Sequence, residues 1–112
     1  MSWIVEFYQT EVGQEVVLDF VYSLQVATQA KVARGFALLK AHGADLGMPH
    51  TKFLGNGLLE LRIRGRQEVR VFYIYAIGKR IIVLHAFVKK TQKTPQKELK
   101  IARDRQKEVE LV

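Results

Sequence analysis

The run from Ile81 to Pro95, IIVLHAFVKKTQKTP, decides how the rest of the chain is read. Its first eight residues are apolar apart from His85 and rich in β-branched side chains, which suits a buried strand. Lys89, Lys90 and Lys93 follow at once. Thr94 and Pro95 then form an N-cap and first-position pair that can open a helix. A strand that ends in lysines needs other strands beside it, and the residues just upstream supply them.

Leu58 to Arg64 alternates, with Leu59, Leu61 and Ile63 on one face and Glu60, Arg62 and Arg64 on the other. A polar turn over Arg64–Glu68 returns the chain antiparallel as Val69–Ala76, where Arg70 and Phe72 oppose Val71 and Tyr73. A second turn at Ile77–Arg80 leads into Ile81–Val88. There Ile82, Leu84 and Ala86 are expected to alternate with His85 and Phe87, and Lys89 to continue the latter face. Further upstream, SWIVEFY at residues 2–8 reads as a first strand. Val17, Phe20, Val21 and Leu24, then Val32, Phe36 and Leu39, recur at helical spacing and predict a helical hairpin, with Thr28 capping its second helix and Gly43 ending it. Residues 43–57 read as a loop. Downstream of Pro95, Leu99, Ala102 and Val109 form a thin apolar stripe on a charged helix, expected against the sheet edge and fraying over residues 110–112.

The expected fold is α+β, in one domain over residues 1–112. A small antiparallel sheet, made of the N-terminal strand and a three-strand meander, is covered by an N-terminal helical hairpin and followed by a C-terminal helix. If the hairpin covers the apolar face, the other face carries Glu60, Arg62, Arg64, Arg70, Phe72, His85, Phe87 and Lys89 together. Like charges on adjacent strands repel, by a fraction of a kcal/mol each, and a phosphate brought between them relieves that repulsion.

Charge distribution points the same way. The chain of 112 residues carries a net charge of +7. Residues 1–50 hold three Lys/Arg against five acids, whereas residues 51–112 hold fifteen against six. Such segregation suits a polyanionic partner. With no cysteine and three scattered histidines, His42, His50 and His85, neither a disulfide nor a metal-ligand motif is expected. The N-terminus lacks the basic-then-apolar pattern of a secretory signal, and no run reaches the ~18 apolar residues of a membrane helix. The chain therefore reads as cytoplasmic, without membrane contact or cofactor.

Metal-free RNA cleavage needs a group to take the 2′-OH proton, cations for the pentacovalent phosphorus, and help for the leaving 5′ oxygen. Arg62 and Arg70 suit the phosphate, because the guanidinium fork matches its oxygens and stays charged. Lys89 and Lys93 are further candidates, since cations packed together favour a neutral amine. His85 and Glu60 are the proton-transfer residues on that face. Lys52, Arg64 and Lys90 are expected to touch RNA, and Phe72 and Phe87 to stack on bases. Each also has a structural reading: His85 as a hydrogen-bonding strand residue, Glu60 as an ion-pair partner of the arginines, the lysines as a solvated strand end.

The series GLLELRIR, VRVFYIY and LHAFVKKTQKTP, followed by a charged helix, resembles the HigB-like, phage-derived branch of the RelE/ParE toxin superfamily. The resemblance runs from the first strand to the C-terminal helix. It implies a RelE-like fold and the toxin half of a type II toxin–antitoxin pair, an endoribonuclease that cleaves mRNA on the ribosome. It implies a cognate antitoxin, usually a helix-turn-helix protein, with DNA met only through that antitoxin. The arginines of ELR and R-x-F-Y, here Arg62 and Arg70, bind phosphate in the relatives. Several relatives end the last strand with a catalytic Tyr or His, where this chain has Val88-Lys89-Lys90; His85 is read from the face alone. Two alternatives stand beside this one: a non-nuclease toxin acting on DNA gyrase, as ParE relatives are thought to do, and an inactive module that binds RNA or the antitoxin.

Overall fold

Alternation along residues 58–88 builds three neighbouring strands, and the rest of the chain packs on their two faces. A computed structural model describes residues 2–110. In chain order the elements are β1 (Ile4–Phe7), α1 (Val16–Tyr22), α2 (Val26–His42), a short 3-10 turn (Gly43–Asp45), β2 (Thr51–Gly55), β3 (Leu58–Ile63), β4 (Val69–Ala76), β5 (Arg80–Val88) and α3 (Gln96–Glu110). The five strands form one sheet in the order β1-β5-β4-β3-β2. The expected fraying over residues 110–112 falls largely outside the described residues.

The sheet is mixed and not antiparallel throughout. β2 to β5 pair antiparallel, but β1 runs parallel to β5, with Glu6 beside Ile82. Parallel neighbours need a long connection, and the helical hairpin plus the meander provides it. β2 lies within residues 43–57, the stretch expected to be loop. It forms a hairpin with β3 through Gly55, Asn56 and Gly57, all at positive φ (96°, 51° and 82°). Asn-Gly and flanking glycines favour that backbone.

On one face α1 and α2 cover the main core. Val17, Val21, Val32 and Leu39 meet Leu61, Ile63, Val69, Val71, Tyr73, Ile81 and Val83. The second helix starts earlier than expected: Gln25, with extended backbone, precedes it, and Thr28 is buried inside it. Its end is set by packing. Gly43 has φ +49°, and a Cβ there would lie 2.0 Å from the Trp3 indole.

The second face departs most from expectation. A register shift between Phe72 and Tyr73 pairs Phe72 with His85 but Tyr73 with Val83, so Leu84 is an extra residue on β5. That bulge puts Leu84 beside His85 on one face. Ile82 and Leu84 therefore join Leu58, Phe72, Ile74 and Phe87 in a second core, while Ala86 alone of the expected trio faces the hairpin helices. α3 lies across this core, not at the sheet edge. Covering an apolar side chain of this size is worth ~1.5–3 kcal/mol, which holds down a helix contributing only Leu99, Ala102 and Val109. Polar bonds add to it: Arg103 donates to the carbonyls of Gly55 (2.8 Å) and Leu54 (3.2 Å), and Gln106 to that of Asn56 (2.6 Å). α3 begins one residue later than predicted. The Pro95 carbonyl accepts the Glu98 and Leu99 N–H bonds, and Thr94 turns toward the sheet.

Candidate nucleic-acid interface

Cross-strand register sets the geometry. Two rows cross the second face: Lys52, Glu60, Phe72 and His85 in one, and Arg62, Arg70 and Phe87 in the next. Directly opposed residues in an antiparallel pair have Cα atoms only ~4.5–5.5 Å apart, so Arg62 and Arg70 are held against their mutual repulsion. Glu60 is what holds them. Its Oε1 accepts from Arg62 Nε at 3.1 Å and lies 4.0 Å from Arg70 Nε, while Thr94 Oγ1 donates to its other oxygen at 3.5 Å.

Glu60 and Arg70 are 2% and 5% exposed. Arg70 Nη1 donates to the Val69 carbonyl at 3.2 Å and stands 4.0 Å from Glu68, but its Nε is dry and has no hydrogen-bond partner. A buried donor left open costs ~1–3 kcal/mol. Arg62, Arg64 and Arg70 against Glu60 and Glu68 leave one unit of positive charge over. Arg62, partly exposed, opens this cluster toward solvent.

The lysines gather at the same end of the sheet. Lys89 is half-buried and its N–H donates to the Glu68 carbonyl at 2.7 Å; Lys90 and Lys93 are exposed on the β5–α3 loop, which Thr91 braces by donating to the Lys93 carbonyl. Lys52 is exposed opposite Glu60, and Arg64 is exposed near Glu68 at 3.7 Å.

Three expected residues are instead taken up by the fold. Phe72 and Phe87 are buried under α3, 5.4 Å apart between ring centres, so neither presents a face to a nucleobase. His85 lies under the same helix. Its Nε2 is 2.9 Å from Glu98 Oε1, and its Nδ1 is 3.4 Å from Arg105 Nη1. Arg105 can only donate, so Nδ1 accepts and Nε2 carries the proton toward Glu98. Burial pulls the His85 pKa below its ordinary value, and the nearby Glu98 only partly offsets this. The ring is therefore neutral at pH 7 with both nitrogens engaged.

His50 was missed. Arg62 N–H donates to the His50 carbonyl at 2.7 Å, continuing the ladder one step past Thr51–Leu61. Thr51 is buried, Lys52 shares the face of Glu60 across the strand pair, and His50, in the turn just before β2, is exposed. Asn56-Gly57 flanked by apolar runs was the available signal for the hairpin that puts it there.

Fold and site thus define a small α+β protein whose sheet carries a cationic, incompletely paired cluster at one end. The family model for phage derived protein Gp49-like (DUF891) matches residues 19–107. The chain belongs to that family. No curated protein matches it. Among the described residues no three His, Asp or Glu side chains gather as a metal site, and no helix is long and apolar enough to cross a membrane.

Proposed function

We propose that this protein is the toxin of a type II toxin–antitoxin pair, an endoribonuclease that cuts mRNA on the ribosome, with a cognate antitoxin as its partner. The observation that carries the proposal is the opposed Arg62–Arg70 pair around Glu60, with the Nε donor of Arg70 open. A scissile phosphate held by Arg62, the more exposed member, supplies the negative charge that the cluster lacks. Family membership supports a toxin role.

In this reading Arg62 and Arg70 bind the non-bridging oxygens and stabilise the charge that grows as the 2′ oxygen attacks phosphorus. Glu60 fixes both guanidiniums; its oxygens are already occupied by Arg62 and Thr94, so it is a positioning residue. Lys89, Lys90 and Lys93 neutralise neighbouring phosphates, and Lys52 and Arg64 extend the contact. His50, exposed and bonded through its carbonyl to the Arg62 N–H, takes the 2′-OH proton, and one of the lysines protonates the leaving 5′ oxygen. The products are a 2′,3′-cyclic phosphate and a 5′-OH.

Induction of the wild type beside Arg62→Ala, with primer extension on a translated mRNA, tests this. The expected result is growth arrest with new cleavage sites, both lost in the variant. Arrest without cleavage favours a non-nuclease target such as gyrase, and no arrest from folded protein favours an inactive binding module.

A further inference from the structure

The opposite end of the second face is built for a different kind of molecule. Near the C-terminal end of α3, residues of β1, β4, β5 and α3 line a groove of about 1060 Å3. Its apolar part includes Ile74, Ile82 and Val109, and Ile77 beside them is 95% exposed. Its charged lining is Glu6, Glu15, Glu108 and Glu110 against Arg80 alone. Arg80 is already spent on Glu6, donating to both carboxylate oxygens at 2.9 and 2.7 Å. On a chain of net charge +7, this groove is therefore anionic.

The groove lies four to seven residues along β4 from Arg70, or ~13–23 Å at strand rise. Carboxylates repel phosphates, so RNA held at the arginines does not extend into it. Ile74 and Ile82 are buried in the second core, so Ile77 is the exposed apolar contact at the groove and the carboxylates are its main recognition feature.

We propose that this groove docks a protein segment bearing apolar side chains flanked by lysine or arginine, and that the segment belongs to the antitoxin. The second clause rests on the toxin–antitoxin reading above. The partner thereby grips the end of the molecule remote from the arginine pair, with a charge opposite to that of a phosphate mimic. Groove residues set the strength of that grip, and basic-end residues do not.

The test is binding of the purified chain to the protein encoded beside its gene, for wild type, Ile77→Asp, Glu108→Lys/Glu110→Lys and, at the basic end, Arg64→Glu, each checked for folding by circular dichroism. The expected result is at least tenfold weaker binding for both groove variants, less than twofold change for Arg64→Glu, and no displacement by an RNA oligonucleotide. Groove variants that bind within twofold of wild type overturn the docking assignment while leaving the toxin–antitoxin reading intact. No complex with the wild type overturns both.

Discussion

Arg70 Nε stands 4.0 Å from Glu60 Oε1 across the β3–β4 pair, with both side chains withdrawn from water and the nitrogen lacking a hydrogen bond. The site is thus stable enough to fold and still short of one acceptor. Removing the carboxylate leaves the buried Arg70 guanidinium short of its nearest charge partner on β3, and breaking such a pair costs ~3–5 kcal/mol. Glu60→Gln keeps the shape, so its urea denaturation is expected to show ~3 kcal/mol less stability, with tighter RNA binding at low salt. Stability unchanged within ~0.5 kcal/mol would mean that Glu60 does not hold the arginines.

His85 makes stability depend on pH. Burial lowers its folded pKa beneath the ordinary value near 6.5, so the unfolded chain binds the proton more readily. The contribution of the neutral ring is fully present above pH 6.5 and is lost as pH falls from there through the folded pKa. Melting temperatures between pH 7.5 and 5 are expected to fall more steeply for the wild type than for His85→Gln. Equal slopes would place the titration elsewhere.

Gly43 is held by Trp3. Its φ of +49° is strained for any side chain, and a Cβ would sit 2.0 Å from the indole. Gly43→Ala is expected to cost ~3 kcal/mol from strain and overpacking together, read by thermal melting and by the fluorescence of Trp3, the only tryptophan.

Much of this was legible in the sequence. Period-two alternation located β3 and β4, and the three-and-four spacing located the hairpin helices, because each element buries one face only. Arg62 and Arg70 fell together for the same reason. What alternation cannot reveal is a bulge: Leu84 breaks the period at one residue, which turned Ile82 to the wrong face and hid the second core. Without that core, α3 had no face to lie on, so Phe72, Phe87 and His85 read as open when they are covered. β2 was lost because its glycines read as loop punctuation and not as a hairpin turn, and His50 was lost with it.

His50 separates the proton-transfer roles. A positioned acid or base contributes ~10²–10⁴-fold to rate. His50→Ala, at an exposed position, is expected to lower cleavage by about that factor, with RNA affinity within twofold. A variant that cleaves at the wild-type rate would move the base to Lys52 or a lysine of the β5–α3 loop.

The most direct test of the phosphate site is Arg70→Lys, assayed by primer extension on a translated mRNA with folding confirmed by melting. Lysine keeps the charge but lacks the fork and the Nε donor. The account predicts that wild-type cleavage sites disappear or weaken at least a hundredfold in Arg70→Lys. A folded Arg70→Lys protein that cuts the same sites at the wild-type rate would contradict it.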